Sequence, residues 1–205
     1  MTTRMRIGCL VLALGVMPVA HAAAQSRPLV TEDPEVIGAG QMGAGIAQVS
    51  AQAGYRVLLS DMDVARAEKG KAGIAKQLAR AVEKEKITAE AADAALANIE
   101  CVGGTDAFAP CDLVIEAATE REEIKRSIFA NVGKVLSDTA ILASNTSSIP
   151  ITRLAQASPD PARFMGVHFF NPVPVMGLIE LIRGLAPATQ RSPRSKPMAR
   201  RSTSA

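Results

Sequence analysis

His168 and Glu180 are the residues of this sequence best suited to proton transfer. His168 ends an apolar run, a proline-containing loop follows, and Glu180 lies 12 residues further on, in the next apolar run. A histidine between apolar residues is more often a core residue than a catalyst. A turn of this length, however, can bring the carboxylate back beside the imidazole. There it fixes the tautomer and stabilises the protonated ring, as a general base requires.

A glycine-rich stretch has the spacing of a nucleotide-binding turn. Gly38 permits a tight turn, Gly40 lets a pyrophosphate approach the backbone closely, and Gly43 lets a helix pack against a strand. Asp61 ends the next apolar run, where its carboxylate can accept bonds from ribose hydroxyls and would repel a 2′-phosphate. The pattern therefore predicts NAD rather than NADP, the alternative being a turn without a ligand. The turn residues expected at the cofactor are Gly38, Gly40, Gln41, Met42 and Gly43.

The order of apolar patterns predicts an α/β fold, a Rossmann-type doubly wound and mostly parallel sheet. Short apolar runs alternate with amphipathic helical patterns, which is typical of strands covered on both faces. Two consecutive helical patterns, at residues 64–86 and 88–98, predict a helical pair inserted after strand two. A further helix is expected over residues 121–136. The residues expected on its buried face are Ile124, Ile128, Val132 and Val135.

The predicted strand ends collect the residues that could do chemistry. Ligands of such sheets bind at the carboxyl ends of the strands. Asp61, residues 116–120, residues 145–148 and His168 all fall at such ends, so we expect one crevice to gather them. Pro34 cannot donate a ladder hydrogen bond, and the first strand is therefore expected to be short and to start near Glu35.

Composition excludes several classes of function. Cys9, Cys101 and Cys111 are too few and too scattered for a disulfide framework or a zinc site, and no metal is expected. Aromatic residues make up 3% of the chain and tryptophan is absent, which argues against stacking on single-stranded nucleic acid. The arginines and lysines after residue 186 account for the formal net charge of +3, so no nucleic-acid partner is expected.

The two ends differ from the middle, and we divide the chain into residues 1–34, 35–186 and 187–205. Residues 1–24 have the charged start, apolar run and small-residue cleavage site of a secretory signal, with a run too short for a stable membrane span. Nicotinamide cofactors instead favour a cytoplasmic location, and the alternative to a signal is a misplaced start codon or a fused upstream reading frame. The composition of residues 187–205 predicts a disordered tail, of the kind that a frameshift would generate. The alternative is a basic arm that binds a partner.

Two motifs resemble a known family. Residues 144–148 (Ser-Asn-Thr-Ser-Ser) and 168–174 (His-Phe-Phe-Asn-Pro-Val-Pro) are similar to the 3-hydroxyacyl-CoA dehydrogenases, particularly the bacterial 3-hydroxybutyryl-CoA dehydrogenases. The resemblance covers about residues 35–186 and implies hydride transfer between an acyl-CoA substrate and NAD, with His168 as base and Glu180 as its orienting carboxylate. The resemblance also assigns Ser147 and Asn171 to the substrate, and Glu120, Lys125, Asn145, Ser147 and Asn171 to the cofactor.

The resemblance stops after Ala186. Family members continue into a helical domain that opens with a Pro-Gly-Phe…Asn-Arg motif, closes over the acyl chain and makes the dimer. The family-type dimer is therefore not expected, and a truncated, catalytically inactive NAD-binding fragment is the alternative to an active enzyme. Other NAD-linked hydroxyacid dehydrogenases are a weaker alternative, because they use a lysine near the reaction centre.

Overall fold

The computed structural model describes residues 2–6 and 34–184, and in this part of the chain eight strands form one sheet. The strands are β1 (Thr2–Arg6), β2 (Glu35–Ile37), β3 (Val57–Ser60), β4 (Ile99–Val102), β5 (Leu113–Glu116), β6 (Ile141–Ser144), β7 (Phe164–Phe169) and β8 (Leu178–Arg183). Their order across the sheet is β1-β8-β7-β6-β5-β2-β3-β4. Strands β2 to β7 are parallel, and β8 pairs antiparallel with both β7 and β1.

Helices lie between most of the strands along the chain. They are α1 (Gln41–Gln52), α2 (Val64–Glu83), α3 (Ala89–Ala97), α4 (Glu122–Val132), α5 (Ile151–Ala155) and α6 (Val173–Met176), with short 3₁₀ turns at Asp106–Phe108 and Pro161–Arg163. Helices α2 and α3 follow one another between β3 and β4, so the inserted pair is confirmed. The predicted doubly wound, mostly parallel sheet is confirmed as well.

The sheet is covered on both faces by apolar clusters. Val36 belongs to one cluster, with residues of α1, α2 and α3, whereas Ile37 belongs to the other, with residues of α4 and α5. Adjacent residues of a strand point to opposite faces, so a strand covered on both faces must be apolar almost throughout. This is why the central strands appear in the sequence as short apolar runs.

Local signals set several element boundaries. Strand β2 starts at Glu35 as expected, directly after Pro34. Asp63 begins α2 by accepting a hydrogen bond from the Arg66 amide at 2.8 Å. Thr88 begins α3 in the same way, accepting from the Ala91 amide at 3.2 Å. Such side-chain caps satisfy amides that have no partner within the helix.

Helix α4 departs from the prediction in its length and in one residue of its expected buried face. It ends at Val132, four residues before the expected end, and Ile124 is 39% exposed instead of facing the core. Lys125, Phe129 and Val132 are the buried residues of the helix. Val132 is buried as expected, and Ile128 and Val135 pack against the same apolar cluster, so Ile124 is the one residue that departs from the predicted face. Lys125 is buried beside it because it has an ion-pair partner inside the fold, which apolar periodicity does not register.

The predictions for the chain ends fall mostly outside the described residues. The structure does not describe residues 7–33, which include most of the signal-like segment, or the tail after residue 184. Within the described part, Thr2–Arg6 is an edge strand on β8, and no helix is long and apolar enough to cross a membrane.

Candidate functional site

The turn after β2 has the conformation that its glycines predict. Gly38 adopts φ of +102°, and a Cβ there would lie 2.5 Å from the Cα of Ala118 on the neighbouring turn. A Cβ on Gly43 would overlap the carbonyl oxygen of Gly38. Neither position accepts a side chain without movement of the backbone, which confirms why glycine stands at both.

The third glycine opens onto a groove. A Cβ on Gly40 would meet no atom of the described residues within 4 Å, and no side chain in that part caps the start of α1. The groove beside it has a volume of about 630 Å³, and its lining includes Gln41, Asp61 and Arg66. Unbonded amides at a helix start, open space over a glycine and a carboxylate in the groove lining match the pyrophosphate and ribose of a dinucleotide. The residues present therefore fit NAD.

Asp61 holds the glycine turn as well as lining the groove. One carboxylate oxygen accepts a hydrogen bond from the Ala39 amide at 2.7 Å, and the other accepts from the Met62 amide at 2.7 Å. Each oxygen retains a lone pair for a further donor. Asp61 thus lies where the sequence places it, at the end of β3, with a second role in fixing the turn.

His168 and Glu180 are neighbours, as the sequence predicts. They lie directly opposite each other on the antiparallel strands β7 and β8, and Nδ1 of the imidazole is 3.2 Å from a carboxylate oxygen. The side chains are 19% and 14% exposed. The carboxylate fixes Nδ1 as the donor, which leaves Nε2 to exchange a proton with another group.

Two contacts connect the histidine strand to the rest of the site. The side chain of Asn145 accepts a hydrogen bond from the Phe169 amide at 2.8 Å. The Gln41 amide group donates to the side chain of Asn171 at 3.1 Å, so the loop after His168 reaches the glycine turn. These contacts bring the loops close to the glycine turn. The lining of the groove, however, includes Asp61 but none of residues 116–120, residues 145–148 or His168, so a single crevice that gathers them all stays a prediction.

Glu120 organises the turn after β6. Its carboxylate accepts from the Thr146 hydroxyl at 2.6 Å and from the Ser147 amide at 3.0 Å, with the Ser147 hydroxyl at 3.4 Å. Desolvation raises the pKa of Glu120, but these bonds and the charge of Lys125 more than offset it, so the pKa lies below its ordinary value. Ser147 and Glu120 therefore form one polar unit at the rim.

Lys125 lies under this rim. Its side chain is 2% exposed, and its ammonium donates to Glu116 at 2.6 Å and to Ser144 at 3.3 Å. The sequence analysis placed residues 116–120 at the end of a strand and gave Glu116 no individual role. A charged residue inside an apolar strand run is the signal that could have found the pair, because a buried carboxylate needs a partner.

Comparison with known proteins identifies the family. A family model described as the NAD binding domain of 3-hydroxyacyl-CoA dehydrogenase matches residues 35–201. The chain belongs to the 3-hydroxyacyl-CoA dehydrogenase family. It is 55% identical over 151 residues to a 3-hydroxybutyryl-CoA dehydrogenase of Bradyrhizobium diazoefficiens, covering 74% of this chain and 52% of that protein. It is 44% identical to the 3-hydroxyadipyl-CoA dehydrogenase of Escherichia coli, covering 76% of this chain and 33% of that protein.

The solved structures of 3-hydroxyacyl-CoA dehydrogenases agree with the observed fold. The crystal structure of (S)-3-hydroxybutyryl-CoA dehydrogenase from Ralstonia eutropha superimposes with a TM-score of 0.73 at 45% identity. That match covers 75% of this chain and 54% of the other. The chain therefore spans about half the length of several relatives that it matches.

Proposed function

We propose that the protein oxidises a 3-hydroxyacyl-CoA, such as 3-hydroxybutyryl-CoA, with NAD as acceptor. The observation that carries the proposal is the His168–Glu180 pair, in which Nδ1 lies 3.2 Å from the carboxylate. The loop that follows His168 bonds to the glycine turn through Asn171 and Gln41. When NAD is bound, it supplies the hydride acceptor.

The proton-transfer step follows from the pair. His168 accepts the proton of the substrate 3-hydroxyl on Nε2 as the C3–H bond breaks, and Glu180 stabilises the resulting imidazolium through Nδ1. Ser147 and Asn171, on the two neighbouring loops, are proposed to hold the substrate oxygen and the acyl group. Gly38, Gly40, Gly43, Gln41, Met42 and Asp61 are proposed to bind the dinucleotide, with Glu120, Lys125 and Asn145 beneath or beside it.

A second candidate function is NAD binding without catalysis. It is favoured by the groove beside the glycine turn, whose lining includes neither His168 nor Glu180. In this case the groove binds nucleotide and the His168–Glu180 pair has no substrate.

The test is NADH formation from 3-hydroxybutyryl-CoA, followed by absorbance, together with NADH binding followed by fluorescence. We expect His168→Gln to lower turnover by about 10²–10⁴-fold while NADH binding is retained, since only proton transfer is lost. The other histidine provides a matched control, and His21→Gln is expected to have normal turnover.

Each result selects one reading. Turnover that survives His168→Gln contradicts the catalytic role of this residue. A chain that binds NADH but shows no turnover supports nucleotide binding alone, and a chain that does neither contradicts both proposals.

A further inference from the structure

A buried ion pair lies below the candidate cofactor site and touches neither the groove nor the histidine. One carboxylate oxygen of Glu116 accepts from the Lys125 ammonium at 2.6 Å and from the Ser144 hydroxyl at 2.8 Å. The side chains of Glu116 and Lys125 are 0% and 2% exposed. Removing two charges from water is costly, and apolar residues of similar size are often at least as stable in such places. Stability alone therefore does not explain the pair.

The network does hold the two turns that edge the site. The other carboxylate oxygen of Glu116 accepts from the Ala118 amide at 2.8 Å. Ala118 is the residue that lies against Gly38, at a distance that admits no Cβ on that glycine. The side chain of Glu116 thereby fixes the position of Ala118, against which the glycine turn packs.

The second turn is tied to the same carboxylate. Ser144 donates to Glu116 and accepts from the Thr146 amide at 3.4 Å, while the backbone carbonyl of Glu116 accepts from the Asn145 amide at 2.8 Å. Asn145 in turn accepts from the amide of Phe169, next to His168. The glycine turn, the Ser147 turn and the histidine strand are thus linked through Glu116.

We propose that Glu116, neutralised by Lys125, is a positioning residue that sets the spacing of the two turns for the dinucleotide. The pair acts through Ala118 and Thr146 and needs no contact with substrate. This inference rests on the proposed use of the groove for NAD. Part of its test, however, uses the protein without nucleotide, so the two can fail separately.

The test uses the double variant Glu116→Gln/Lys125→Met, which removes both charges with little change in volume. Two readouts are measured on the full chain: amide hydrogen exchange at Ala118 and Thr146 without nucleotide, and NADH affinity by fluorescence. We expect exchange at both amides to accelerate and NADH affinity to fall, each by roughly tenfold. Exchange at Leu59, in β3, is expected to stay within twofold of the parent.

The control is Phe129→Leu, one turn further along α4 and also fully buried. It should lower the melting temperature but leave exchange at Ala118 and Thr146, and NADH affinity, within twofold of the parent. A milder variant, Ser144→Ala, keeps the ion pair and should accelerate exchange at Thr146 but not at Ala118. If the double variant does not fold, Ser144→Ala decides: faster exchange at Thr146 with parental exchange at Ala118 supports the proposal, and parental exchange at Thr146 overturns it.

The proposal is overturned if the double variant keeps parental exchange and affinity, or if Leu59 accelerates as much as Ala118 does. It is also overturned if Phe129→Leu weakens NADH binding as strongly as the double variant. A parent chain that does not bind NADH contradicts the proposed function, whereas the exchange measurements still decide whether Glu116 fixes the turns.

Discussion

Glu35 is a carboxylic acid inside the sheet. It is 0% exposed, and neither of its oxygens has a hydrogen-bond partner in the part of the chain that the structure describes. Burial raises the pKa of Glu35 from 4.5 to about 9, and the nearby Ser60 hydroxyl offsets this rise only in part. The side chain is therefore neutral in the folded protein at pH 7, although the same residue is ionised in the unfolded chain.

This difference predicts that stability falls as the pH rises. Because the folded pKa exceeds the unfolded one, the contribution of Glu35 is full below pH 4.5 and is lost progressively up to about pH 9. Glu35→Val should remove this dependence and raise the free energy of unfolding by about 2–3 kcal/mol near pH 7. Urea unfolding of the parent and the variant at pH 5 and pH 8 measures the change of the free energy of unfolding with pH.

A matched substitution separates this effect from a general change of charge. Glu100→Gln, at the exposed position of β4, removes only a surface ion pair with Arg56 and should change the free energy of unfolding by less than about 1 kcal/mol at either pH. A Glu35→Val protein that loses stability with pH as steeply as the parent would refute the assignment of the slope to this residue.

At the scale of elements, small residues decide how close the helices come to the strands. Gly43 allows α1 to start directly over the carbonyl of Gly38, and a Cβ on Gly45 would lie 2.8 Å from the Cβ of Val173 in α6. Because α6 packs this close to α1, the loop before it can reach the glycine turn, where Asn171 bonds to Gln41. The approach of the histidine loop to the cofactor turn therefore depends on helix packing.

Gly43→Ala and Gly73→Ala are expected to change stability in opposite directions. At position 43 the added methyl group overlaps backbone, and the free energy of unfolding should fall by at least about 1–3 kcal/mol. Gly73 lies inside α2, where a Cβ meets no described atom within 4 Å, so alanine should add about 0.5–1 kcal/mol. Thermal unfolding of both variants measures this contrast, and a neutral Gly43→Ala would contradict the close approach.

At the scale of the whole molecule, the groove couples ligand binding to folding. A ligand that binds only the folded chain stabilises it by about 2.7 kcal/mol at a hundredfold excess over its Kd. The carboxylate of Asp61 lines the groove beside the glycine turn, where it would repel a 2′-phosphate.

We therefore expect NAD to raise the melting temperature by about 5–10 °C at that excess, and NADP at the same concentration to raise it far less. Asp61→Asn removes the negative charge and should narrow the difference between the two cofactors. Equal shifts with NAD and NADP in the parent chain would contradict the role of this carboxylate.

The sequence by itself determined the features that depend on local chemistry. The glycine turn, the short start of β2 after Pro34 and the helical pair follow from backbone freedom, a missing donor and apolar periodicity, all of which act between near neighbours. The His168–Glu180 pair was also predictable, because a short connection brings two adjacent strands back together.

Only the tertiary structure decided which polar side chains face inward. The sequence placed Ile124 in the core and did not predict that Lys125 and Glu35 are buried. The fold buries Lys125 against Glu116 and leaves the oxygens of Glu35 without a hydrogen-bond partner among the described residues. The reason is physical: the burial of a charge depends on a partner that arrives from another element, and apolar periodicity along one element contains no information about that partner.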